Sequence, residues 1–258
     1  MAEECARGER AGWHDFARDC GPIASTLLRQ YFPMLEPELE THVAGVFQQA
    51  HADNSAWFGQ IKFTNEREFL MAFRGLVFSY GRAAARVPTP ELSLEQVREI
   101  MTDLPMVERE SLWLVIKGYE AQQIGEILSN AQSTAESVKK VADERLVKVL
   151  PAATKDAFNI SAWVLMSEAE KAGGENCLSL KTFNNLLNGQ VTWRERDVAE
   201  QHIRDCFYCL ERNTSFLEMF WMGRKRQPLG EAEVDKILAQ LELPAAKGKG
   251  ILAKILGK

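Results

Sequence analysis

The chain has 258 residues, 46% of them hydrophobic and 26% charged, with a formal net charge of −5. That content excludes wholesale disorder, the length suits one large domain or two to three small ones, and no run of about eighteen apolar residues marks a membrane span. The stretch MAEECARGER lacks the apolar core of a secretion signal, and the uneven set Cys5, Cys20, Cys177, Cys206 and Cys209 does not make a secreted disulfide framework, so the expected compartment is the cytoplasm.

Apolar residues recur at helical spacing along the first 86 residues, as in Leu35, Leu39, Val43, Val46 and Phe47, and again in Phe69, Leu70, Phe73, Leu76, Val77 and Tyr80. No stretch combines strict alternation with β-branched enrichment, so the expected fold is all-α. The prolines of ARVPTPELS end a first helical domain, 1–86, and open a linker, 87–104. This first domain carries a net −2 and residues 87–150 a net −4. Neither advertises unaided, electrostatically driven DNA binding.

The segment 105–150 predicts a helix from Met106 to Ile116, stopped at Lys117-Gly118, then a short helix from Glu120 to Leu128. A turn from Ser129 through Thr134 follows, with Ser133 or Thr134 as the cap of a third helix and Val138, Val141, Leu146 and Val149 as its inner face. Helix, tight turn and helix form a helix-turn-helix, which places a helix end in the major groove; any trihelical bundle makes the same pattern.

A third helical domain spans 151–222, interrupted by AGGEN at 172–176, and a basic tail at net +4 from 221 onward reads as flexible over 223–258. Within the third domain, EQHIRDCFYCLE spaces His202, Cys206 and Cys209 at four and then three, one face of a helix. A single ion is held there only if the helix ends bend toward it or the helix breaks near Cys209. Zinc wants four tetrahedral ligands, and Cys177 is the spare cysteine nearby. A hairpin of 178–188 and 192–208 would bring it back toward the other three. The residues alone leave open a metal clamp, buried free thiols, or a Cys206/Cys209 redox pair.

Other features carry less. His14, His42 and His51 lack a nucleophile or carboxylate pattern, and no phosphate-cradling glycine loop exists, so no catalysis is expected. Trp113, Trp163, Trp193 and Trp221 are expected in packed positions, and Glu168 and Glu170 on a solvated face. The tail GILAKILGK sets Ile251, Leu252, Ile255 and Leu256 opposite lysines, a pattern for an anionic membrane or a partner groove, though a solvated tail is the simpler reading.

Two resemblances tie these pieces together. LPMVERESLWLVIKG, IGEIL, SVK and ERL resemble the promoter −35-reading region of bacterial sigma factors of the extracytoplasmic-function class. In the order expected of that family, LLRQYFPMLEPELETHVAGVFQQAH and EREFLMAFRGLVFSYGRAAA resemble the region that grips the polymerase β′ coiled coil and opens the −10 element. The likeness covers about residues 22–150. It implies contacts with the RNA polymerase core through Glu38, Glu40 and Phe47, and with promoter DNA through Arg74, Arg82, Lys139, Lys140 and Arg145. SVKKVADERLVK departs from the family's arginine-rich helix, because Glu136, Asp143 and Glu144 dilute its basic residues and Val141 stands where a basic one is expected. A polymerase-escorted factor needs less DNA affinity of its own than a free repressor does.

NLLNGQVTWRERDVAEQHIRDCFYCL, behind Cys177, resembles the zinc-binding anti-sigma domain, over about residues 176–220. That implies zinc on Cys177, His202, Cys206 and Cys209, and an intramolecular contact that masks the sigma-like unit. A second reading, favoured by the acidic helix-turn-helix, is a degenerate sigma-like scaffold that binds proteins and never initiates transcription.

Overall fold

In a computed structural model, residues 1–86, 92–149, 155–241 and 243 are described, and among them thirteen α-helices and one 3-10 turn occur with no strand. The first helical unit holds α1 (Ala2–Ala6), α2 (Arg10–Tyr31), the 3-10 turn Pro33–Glu38, α3 (Leu39–Gln60) and α4 (Glu66–Ala84). Asn65 caps α4, its Oδ1 accepting the Glu68 amide at 3.0 Å, which satisfies one of the open donors of the first turn. The helices close on an aromatic core in which Phe16 meets Phe47 at 4.9 Å and Phe73 at 5.4 Å between ring centroids. Phe47 was expected as a polymerase contact. It is fully buried in this core and shapes the unit from inside.

In the second unit, α5 (Leu94–Met101) starts at a capping box of Ser93 and Gln96, and α6 spans Met106–Ile116 as the sequence predicts. Gly118, at φ +86°, lets the chain turn left-handed there. The Gly118 amide then donates to Val115 and the Tyr119 amide to Leu114, closing the helix end. The helix α7 (Ala121–Leu128) ends on left-handed Ser129, and α8 (Gln132–Val149) starts earlier than expected, so Ser133 and Thr134 lie inside its first turn and do not cap it. Ser137 spends its hydroxyl on the Ser133 carbonyl. Both α6 and α7 pack on α8, the trihelical arrangement.

The remaining helices are α9 (Lys155–Lys171), α10 (Leu180–Leu187), α11 (Trp193–Asp205), α12 (Phe207–Lys225) and α13 (Glu231–Ala239). The helix α12 touches α4 of the first unit, α6 and α7 of the second, and α9 and α11. One continuous cluster of buried side chains accordingly runs from Cys5 to Leu241. Part of the expected flexible tail is ordered: α13 lies on α2 and α3, with Val234, Ile237 and Leu238 buried. The amphipathic tail residues Ile251, Leu252, Ile255 and Leu256 fall outside the described residues. Among the described residues, no helix is long and apolar enough to cross a membrane.

Candidate metal centre

Three local decisions bring the four expected ligands together. Ser179 caps α10 and Thr192 with Glu195 forms a capping box on α11, so a short hairpin folds between the first ligand and the other three. The α9–α10 loop is pressed against Tyr208: a Cβ at Gly173 would sit 2.7 Å from that ring, so only glycine allows the approach that places Cys177. Finally, the helix carrying the other ligands breaks at Cys206, with φ −118° and ψ 112°. The sequence allowed for a break near Cys209; it comes one ligand earlier. That break frees His202, Cys206 and Cys209 from the fixed offsets of a single helix.

The ligating atoms of Cys177, His202, Cys206 and Cys209 all lie within 4.8 Å of one another. Cys177 and Cys206 place their sulfurs 3.7 Å apart, and tetrahedral bonds of about 2.3 Å would separate two sulfurs by roughly 3.8 Å. Backbone amides of Gly174 and Leu178 donate to the sulfurs of Cys177 and Cys209 at 3.3 and 3.4 Å. Burial pushes the Cys209 thiol up to about 12, so a cation is what would draw its proton off near neutral pH. The buried Nε2 of His202 has no hydrogen-bond partner. A metal ion would answer each of these features, and the set could hold one.

From this cluster α12 runs inward to a second constellation that the sequence did not announce. Glu211 accepts from Arg74 of α4 at 2.7 Å, from Trp113 of α6 at 2.7 Å and from Ser215 at 2.7 Å, with the Lys117 ammonium at 2.9 Å. Two turns on, Glu218 faces the same two cations at 3.6 Å and accepts from Tyr31 and Tyr119. Arg74, Lys117, Glu211 and Glu218 are all buried. Burial alone would raise the Glu211 carboxyl, but Lys117 and Arg74, with the Trp113 and Ser215 donors, hold it at about 2. The heptad spacing of two glutamates on a helix with buried neighbours was the one cue in the sequence. Their partners lie too far along the chain to read.

Glu110 of α6 also faces the third unit. It accepts from Asn213 at 2.6 Å, and burial, with the charge of Glu200 beside it, pushes its carboxyl up to about 7.

The residues expected to meet DNA and polymerase are spread widely. Arg74 is a correction, since it points into the buried charge cluster and not toward solvent. Arg82 is half-buried against Glu170 at 2.8 Å, which also takes Glu170 out of its expected solvated role. Lys139 pairs with Asp143 at 2.8 Å, Lys140 is exposed and Arg145 half-buried on α8. Glu38 and Glu40 are exposed, and Glu40 meets Lys236 of α13 at 3.0 Å. Trp193, expected to pack, is 81% exposed at the tip of the hairpin. Comparison with family models, curated proteins and solved structures finds no match to this chain.

Proposed function

We propose that this protein is a transcription regulator: a sigma-like unit for RNA polymerase and promoter DNA, held closed in cis by a zinc-binding module resembling anti-sigma domains. The observation that carries the reading is α12. It leaves the metal cluster and puts Glu211 and Glu218 between a cation of the first unit, Arg74, and a cation of the second, Lys117. A helix so placed ties the two sigma-like units to each other and turns Arg74 away from any nucleic acid. The helix α13 adds a cover over α3, where Glu40 pairs with Lys236. Fusion in one chain raises the effective concentration of such contacts to roughly millimolar.

Zinc fits the donor set of three cysteines and one histidine, which suits a soft, tetrahedral ion. Cys177, His202, Cys206 and Cys209 would hold it. Four protein ligands would leave no open position, so the role of the ion is structural, fixing the start of α12. Elemental analysis should find one zinc per chain, and Cys206→Ser should lose it.

The test is capture on RNA polymerase core by the full chain before and after zinc is removed by a chelator. The metal-free chain is expected to bind more tightly; equal binding sinks the autoinhibited state. The scaffold reading is favoured by the pairing of Lys139 with Asp143 in an acidic unit. Run-off transcription separates the two, since a scaffold gives no transcript even after zinc is removed.

A further inference from the structure

A cleft of about 560 Å³ opens where the second helical unit meets the α11–α12 break. Arg98, Arg109, Arg204, Asp103, Asp205 and Phe207 line it. Arg109 is fixed from behind, with Nε donating to the Leu104 carbonyl at 2.9 Å and Nη1 to the Arg204 carbonyl at 2.7 Å. Those bonds orient the guanidinium without neutralising it: among the described residues no carboxylate lies within 4.0 Å of Arg109 or Arg98. Arg98 meets the Phe207 ring instead, at 5.5 Å. Arg204 has Asp205 at 3.7 Å, a long and exposed contact. Burial lowers the Arg109 pKa, and the Arg204 charge works in the same direction against Asp205 and Asp103. Like charges are thus gathered with too little opposing charge, in a space within the roughly 300–1,000 Å³ range of small-molecule sites.

We propose that this cleft binds a phosphate-bearing small anion. Planar guanidinium forks match phosphate oxygens two at a time, which suits Arg109 and Arg204, and Phe207 supplies an apolar wall for a ring attached to the phosphate. One wall comes from α5 and α6, the other from the joint beside Cys206, so an occupant pins the second unit to the module that carries Cys206. The inference rests on the cleft and is independent of the sigma-like reading.

The test is calorimetric titration of the full, metal-loaded chain with adenosine monophosphate and with inorganic phosphate. Saturable binding of the nucleotide is expected, with inorganic phosphate competing. The Arg98→Gln/Arg204→Gln variant alters two exposed side chains, so its fold, checked by circular dichroism, should persist while affinity falls at least tenfold. Arg194→Gln changes an exposed arginine of α11 outside the cleft and should bind as the parent does. No saturable binding of either anion, undiminished binding by the double variant, or an equal loss in Arg194→Gln overturns the proposal. So does binding of duplex DNA alone, which would make the cleft a contact for a nucleic-acid backbone.

Discussion

Lys117 is fully buried, and its ammonium has no water to fall back on. Glu211, Glu218, Thr214 and Ser215 of one helix supply what solvent would. Removing one partner of a buried ion pair typically costs about 3–5 kcal/mol, because the other charge stays behind unpaired. Lys117→Met keeps most of the side-chain volume and leaves two carboxylates with Arg74 alone. It should lower the unfolding free energy in urea by about that amount; a loss under about 1 kcal/mol would mean that Arg74 suffices. Glu110 has the opposite linkage. Its folded pKa is raised to about 7, so the stability it contributes is fully present below the ordinary carboxylate value and is lost as pH rises through 7. Glu110→Gln can still accept from Asn213 and carries no charge. It should be more stable than the parent at pH 8, by up to about 3 kcal/mol, and no different at pH 4, as read by unfolding at both pH values.

The break between α11 and α12 shows what an element can hide. Nothing in RDCFYC stops a helix: no proline or glycine is present, and the 3.6-residue period runs on through it. The spacing of His202, Cys206 and Cys209 therefore pointed to residues that come together and could hold a metal ion, while the backbone that makes them converge came from tertiary packing. Helices α6 and α7 were legible nearly to the residue, because Gly118 and the apolar period mark their ends. The charge cluster was not, since Arg74 and Glu211 are 137 residues apart and a buried charge looks like a solvated one in sequence. The helix α13 was missed because EAEVDKILAQ sits beside a lysine-rich tail and took on its reading. Its apolar stripe, Val234, Ile237 and Leu238, is buried against α2 and α3, and the chain before it is pinned where the Leu229 amide donates to Arg18 at 3.0 Å. Ile237→Asp puts a charge into that seam. Amide hydrogen exchange across 231–239 should rise by tenfold or more with α12 unaffected; equal protection in the variant would mean that α13 holds by its surface pairs, such as Lys236 with Glu40.

At the scale of the whole molecule, sequence punctuation divides the chain where packing joins it. Pro-rich 87–91 and the Pro151 region separate three helical units along the chain, but α12 serves as a core helix for all of them. Its buried carboxylates cannot be satisfied inside the third unit, because the cations they need belong to the first and second. Unfolding any one unit would therefore strand buried charge in the others, and the three should come apart together. Tryptophan fluorescence reports on all three units, through buried Trp13, Trp113 and Trp163, and reactivity of the Cys209 thiol in metal-free protein reports on the third alone. Both should follow one urea transition with the same midpoint, and Lys117→Met should move both midpoints down by the same amount. If the thiol became reactive well before most of the fluorescence changed, the third unit would open on its own. The charge cluster would then be a dock between independent parts and not the centre of one cooperative structure.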